Sequence, residues 1–121
     1  MKVIVAGGRD FTDVQRMDQE IKKLCIDGFI PEDATLISGM ARGADYTAHT
    51  LWKSYGNPIE EYPVTASDWT RLGKGAGIMR NIQMGDIADK LIAFWDGKSP
   101  GTKHMINYMR ANSKPVHVIH Y

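Results

Sequence analysis

Two hydrophobic rhythms alternate along this chain. Short apolar runs at residues 3–6, 35–38, 59–62, 90–95 and 115–119 are rich in β-branched or aromatic residues, a pattern that predicts strands. Between them the apolar residues recur every three or four positions. Val14, Met17, Ile21, Leu24 and Cys25 form one stripe, predicting a helix that starts at Thr12, with Gln15 as capping-box partner, and stops at Gly28. The same rhythm predicts helices over Ala44–Tyr55 with Gly56 as the stop, over Ala76–Ile87, and over Thr102–Ala111. Residues 63–75, with Pro63, Gly73 and Gly75, read as a loop with a short helical turn around Asp68 and Trp69. The unbroken apolar run from Leu91 to Trp95 predicts a strand covered on both faces, whereas residues 59–62 are polar enough for a sheet edge.

Strand and helix therefore alternate throughout, which specifies an α/β domain with a mainly parallel five-stranded sheet and helices on both faces. Right-handed crossovers leave few topologies. The expectation is a Rossmann-like strand order 3-2-1-4-5, with the switch point between the first and fourth strands. The chain of 121 residues fits one domain over 1–121.

Composition narrows the class. Hydrophobic residues make up 43% and charged residues 24%, as in an ordinary globular protein. A formal net charge of +1 without a basic block disfavours a nucleic-acid surface. Cys25 is the one cysteine, so no internal disulfide forms; its position on the apolar stripe predicts a core residue. No apolar run approaches the roughly 18 residues of a membrane span, and the first residues lack a signal-peptide pattern. The expectation is a cytoplasmic protein without a membrane partner. The histidines show no metal spacing, and neither a metal nor a cofactor is called for.

The candidate chemistry lies in three glycine turns, each between a strand and a helix. They are Gly7-Gly8-Arg9-Asp10, Ser38-Gly39-Met40-Ala41-Arg42-Gly43-Ala44-Asp45, and Asp96-Gly97-Lys98-Ser99-Pro100-Gly101-Thr102. In a parallel sheet all three emerge at the carboxyl ends of the strands, where such folds bind ligands. Glycine lets a backbone approach a phosphate, and the following helix N-terminus offers free N–H groups. Arg9, Arg42 and Arg80 are the expected counter-charges, with Lys98 and Lys103 nearby. Asp10, Asp45 and Asp96 are placed to accept from ribose hydroxyls or to stabilise an oxocarbenium-like centre, with helix capping the alternative for Asp45. Ser38, Ser99 and Thr102 are candidates for phosphate contacts, and Trp69 and Trp95 for base stacking against a core role.

The segment from Ser38 to Asp45, with His49 four residues on, resembles the nucleotide-binding motif of the SLOG superfamily, which joins DNA-processing protein A (SMF/DprA) to the LOG nucleotide hydrolases. With Val5 to Phe11 and Gly75 to Met84, it makes the whole chain similar to the YspA-like, YpsA-related branch. The resemblance implies a Rossmann-like domain that binds a nucleotide or nucleotide derivative. It adds Asn81 beside Arg80 to the site, because Arg80-Asn81-Ile82-Gln83-Met84 matches the LOG R-K-x-x-M helix with Asn for Lys. The second LOG motif, P-G-G-x-G-T-x-x-E, survives as Pro100-Gly101-Thr102-Lys103-His104-Met105, with Met105 in place of the glutamate. Methionine neither ionises nor transfers a proton.

The expectation is therefore binding without turnover, as a sensor or sequestering protein for an ADP-ribose-like or cyclic nucleotide signal of the kind used in phage defence. A homodimer or higher homo-oligomer is the expected assembly. The alternative is a nucleoside 5′-monophosphate N-glycosidase, with Arg80 and a substitute carboxylate, Asp96, Asp45 or Asp10, as catalytic groups. A second alternative is single-stranded DNA binding.

Overall fold

A computed structural model describes residues 1–73 and 75–121. Its elements run β1 (Lys2–Gly7), α1 (Val14–Ile26), β2 (Thr35–Ser38), α2 (Ala44–Tyr55), β3 (Ile59–Glu61), α3 (Ala66–Leu72), α4 (Gly75–Ile87), β4 (Lys90–Trp95), α5 (Pro100–Ala111) and β5 (Val116–His120). All five strands pair in parallel, in the order β3-β2-β1-β4-β5. The switch point lies between β1 and β4, as expected.

Strand alternation sorts the core into two layers. Val3, Val5, Leu36, Ile92 and Phe94 face α1 and α2, packing on Met17, Ile21, Leu24, Ala48 and Trp52. Ile4, Ile37, Leu91 and Ala93 face the opposite layer, where α4 supplies Met84, α5 supplies Met105, Ile106 and Met109, and Ala88 just after α4 joins them. The run Leu91 to Phe94 is buried on both faces. Trp95 is only partly buried and donates its indole N–H to the Ser99 carbonyl at 3.1 Å.

Several boundaries differ from the sequence reading. The α1 N-cap is Asp13, whose carboxylate accepts from Arg16 N at 3.0 Å, so the Thr12–Gln15 box does not form and Val14 is exposed. Both side chains can cap; the structure uses the one whose oxygen reaches the N3 amide. Helix α5 starts two residues early, because Pro100 occupies its first turn, where a missing N–H costs nothing. Helix α4 starts at Gly75 rather than Ala76, and β3 ends at Glu61. Pro115 precedes β5; its carbonyl accepts from Leu91 N at 3.0 Å. Cys25 is half-buried at the margin of the core, and burial raises its thiol pKa. The loop expected over 63–75 contains a full helix, α3, closed by a reciprocal Thr65–Asp68 capping box; position 74 of that stretch lies outside the described residues.

Candidate functional site

The turns after β1, β2 and β4 and the α3–α4 segment enclose one cleft of about 1100 Å³ at the carboxyl edge of the sheet. A smaller hollow of about 410 Å³ lies between the far ends of α1 and α2, beside Cys25 and Trp52. It has no glycine turn or helix N-terminus, so the large cleft is the candidate site.

The β1 turn forms one wall. A Cβ on Gly7 would lie 2.2 Å from the Phe94 carbonyl oxygen, and one on Gly8 would strike the Tyr121 hydroxyl at 1.8 Å. Strand packing thus requires glycine at Gly7, whereas at Gly8 the exposed Tyr121 side chain would have to move aside. The Gly8 carbonyl accepts from Phe11 N at 3.2 Å and from Ala44 N at 3.1 Å, tying the first turn to the start of α2. Arg9 and Asp10 are exposed at the rim; Asp10 accepts from the Tyr121 hydroxyl at 2.5 Å.

The β2 turn is tightly wound. Met40 sits at φ 58°, an uncommon conformation for an unbranched residue, held by its N–H donating to Ser38 Oγ at 3.1 Å. Gly43 has φ +86°, and a Cβ there would come within 2.4 Å of the Gly8 carbonyl oxygen. Gly43, not Asp45, is the α2 N-cap. Asp45 instead turns inward, 7% exposed, and accepts from Ala41 N. Burial pushes its carboxyl pKa up to about 6, against the opposing pull of Arg80 and the Ala41 amide. A Cβ on Gly39 would sit 2.8 Å from Asp45 Oδ2 and 3.0 Å from Arg80 Cζ and Nε, so only glycine lets the carboxylate and guanidinium close over this backbone.

Helix α4 braces the cleft from below. Arg80 donates through Nη1 to the Gly39 carbonyl at 3.2 Å, and Asn81 donates through Nδ2 to the Gly101 carbonyl at 3.3 Å. Met84, one turn on from Arg80, is buried in the core layer. The Arg80-Asn81-x-x-Met84 pattern thus joins the second glycine turn to the third and anchors both. Arg80 Nε is buried and, among the described residues, has no acceptor.

The β4 turn closes the other wall. Asp96 Oδ1 accepts from Lys98 N at 2.9 Å and Ser99 N at 2.8 Å, which lowers its pKa and holds it ionised. Asp96 thus faces the cleft as an ionised carboxylate, the form suited to stabilising positive charge rather than to donating a proton. The N–H groups of Gly101 and Thr102 fall in the first turn of α5, where no intrahelical acceptor exists. A Cβ on Gly101 would meet nothing within 4 Å.

All the expected ligand residues line this cleft except three. Ser38 is buried behind Met40, Gly43 is packed against Arg9, and Gly97 forms an exposed turn at φ +82°. Lys98 and Lys103 are exposed and lie outside the lining; Trp95 lies outside it too, which removes it as a stacking candidate. His49 pairs with Glu61 at 3.0 Å, away from the cleft. His104 was missed. It lines the site and meets Asn81 at 3.4 Å, and its spacing of three from Gly101 on one helix face was the available signal. Met105, 1% exposed, forms part of the floor. No group of three or more His, Cys, Asp or Glu gathers to hold a metal among the described residues.

No family model matches the chain. By fold it is similar to DNA processing protein A from Streptococcus pneumoniae, with a TM-score of 0.76 at 18% identity over 97% of this chain and 49% of that one. A second similar structure is DNA processing protein A from Helicobacter pylori, described for its single-stranded DNA binding mode, with a TM-score of 0.63 at 20% identity over 98% of this chain and 64% of that one. The chain thus spans about half to two thirds of these proteins and shares the Rossmann-type fold of the matched part. In sequence it is 37% identical over 91 residues to the Gene 61 protein of Mycobacterium phage D29, covering 71% of each. Identity at that level over most of both chains makes this protein a member of the family of the phage D29 Gene 61 protein.

Proposed function

We propose that the cleft binds a nucleotide or nucleotide-derived ligand, in the manner of a SLOG domain of the YspA-like branch. The observation that carries this reading is Arg80. Its guanidinium lines the cleft with a buried Nε that has no acceptor, and with no ion pair, among the described residues, so its charge is left under-compensated there. A phosphate in the cleft, reached also by the Gly101 and Thr102 amides, compensates that charge through the part of the guanidinium that lines the cleft, with charge-assisted bonds. Arg9 and Arg42 at the rim add positive potential; neither makes an ion pair among the described residues.

Calorimetric titration with nucleoside monophosphates, ADP-ribose and cyclic nucleotides tests the reading. Binding is expected to weaken at least tenfold in Arg80→Gln, since a charge-assisted pair contributes roughly 1.5–3 kcal/mol. Absence of heat from any of these ligands at high micromolar concentration overturns the reading.

Met105 on the cleft floor favours binding over hydrolysis, which suits a sensor or sequestering protein in phage defence; the sequence relative is itself phage-encoded. The alternative, turnover, draws on Arg80 with Asp45, the cleft carboxyl whose raised pKa lets it exchange a proton near neutrality, or with Asp10 or the ionised Asp96. Release of free base from nucleoside monophosphates, abolished by Asp45→Asn, tests that alternative.

A second reading, single-stranded DNA binding, gains from the described binding mode of the Helicobacter pylori structure. It weighs against the expectation, drawn from charge alone, that nucleic acid is not a partner. A homo-oligomer is also proposed, through the exposed Ile78 and Met79 of α4, and light scattering tests it.

A further inference from the structure

Helix α3 is the one helix with no buried side chain, yet it carries a tryptophan. Seven residues do not hold a helix in water by propensity alone. Here the helix is closed by the Thr65–Asp68 capping box and an Arg71–Asp68 contact at 3.3 Å, and it packs on α4. Nothing in the core requires Trp69. Its indole is 46% exposed, lines the cleft, and lies across the first turn of α4, with Cη2 3.9 Å from the place where a Cβ on Gly77 would sit.

Polarity divides the cleft lining. The α3 end is apolar, with Pro63, Val64, Trp69 and Ile78; beyond it the polar groups are Arg80 at the β2 turn and His104 with the Gly101 and Thr102 amides at the start of α5, beside Pro100 and Met105. Helix α4 acts as a ruler between them. Gly77 lies under Trp69, and Asn81 bonds the Gly101 carbonyl. Four residues of helix separate these two points, a rise of about 6 Å. With side-chain reach added, that is the scale of one sugar between a base and its phosphate.

We infer that Trp69 is the stacking platform for the nucleobase of the ligand, with the phosphate at the first turn of α5. The inference rests on the nucleotide-binding reading and deepens it. An exposed indole offers a flat apolar face to any base, so the site selects for an aromatic ring before it selects among rings. The same base could come from a free nucleotide or from a DNA strand.

The experiment titrates wild type, Trp69→Phe and Trp69→Ala with AMP, with ribose 5-phosphate, and with oligothymidine, by calorimetry and tryptophan emission. Trp52 is buried and Trp95 half-buried, so ligand-induced quenching of the solvent-exposed emission reports Trp69. Loss of base stacking weakens binding by about tenfold or more. Trp69→Ala is expected to lose AMP by that factor while ribose 5-phosphate stays within about twofold, and Trp69→Phe is expected to keep most of the AMP affinity. Equal losses for AMP and ribose 5-phosphate, or no loss for either, overturn the platform and leave the phosphate site standing. Failure of AMP, ribose 5-phosphate and oligothymidine alike to bind the wild type overturns the platform, while the nucleotide-binding reading falls only if ADP-ribose and cyclic nucleotides fail as well. Trp69-dependent binding of oligothymidine but not AMP supports the platform and assigns the base to a strand.

Discussion

Asp45 is held in a costly state. Its carboxyl is nearly sealed from solvent at the head of α2, with the Ala41 amide as partner and Arg80 near but not paired with it. Its pKa rises from 3.8 unfolded to about 6 folded. The native state then binds the proton more tightly than the unfolded state, so this group lowers stability as pH climbs from about 4 to 6, and the deficit persists above 6. A shift of that size corresponds to up to about 3 kcal/mol. Asp45→Asn should therefore raise stability at pH 7.5 by roughly 1–3 kcal/mol in denaturant melts, with the gain shrinking as pH falls toward 4. A pH-independent difference would mean that the Asp45 pKa is the same in the folded and unfolded states. Met105 sits at the opposite extreme: its neutrality matches its burial in the core layer beside α4. Restoring a carboxylate with Met105→Glu is expected to destabilise by at least about 2 kcal/mol at pH 7 and to create no hydrolase. Thermal melts and a base-release assay read the two outcomes.

At the scale of elements, the glycine turns divide by the reason each glycine is needed. Gly43 combines a positive φ with contact against the first turn, so Gly43→Ala should cost at least about 2 kcal/mol and loosen α2 from β1. Gly101 has neither constraint. In the first turn of α5 an alanine is the better helix former by up to about 1 kcal/mol, so Gly101→Ala should hold or raise the melting temperature. If the glycine serves an approaching phosphate, the same variant weakens nucleotide binding; a variant more stable and equally tight would show that α5 does not hold the ligand. The sequence pattern made the helix and strand types legible because apolar periodicity is a local property of the chain. It placed the α1 start at Thr12 because Thr12 and Asp13 are equivalent capping candidates by type. It also read α3 as little more than a turn, since that helix has no apolar stripe to find; its stability comes from a capping box and from docking on α4.

At the scale of the molecule, the switch point between β1 and β4 brings three sequence-distant turns and Arg80 of α4 around a single volume. Arg9, Arg42 and Arg80 are the arginines of that volume, so oligonucleotide binding through the cleft involves about three phosphates. Its log affinity should then fall against log salt with a slope of about −2. A much steeper slope would locate strand binding on another surface. The chain's own order of apolar and polar residues determined the alternation of elements, hence the parallel sheet and the edge where its turns emerge, because burial period and crossover handedness leave little freedom. Residue type also marked Arg80 and the glycines as candidates, and the resemblance to the SLOG motifs added Asn81. Tertiary structure alone decided what each does. It tied Asp96 into a turn, buried Asp45, set Trp69 and His104 on the lining and removed Trp95 from it. Those outcomes depend on which surfaces meet across the switch point, and contacts between residues far apart in sequence leave no period to read.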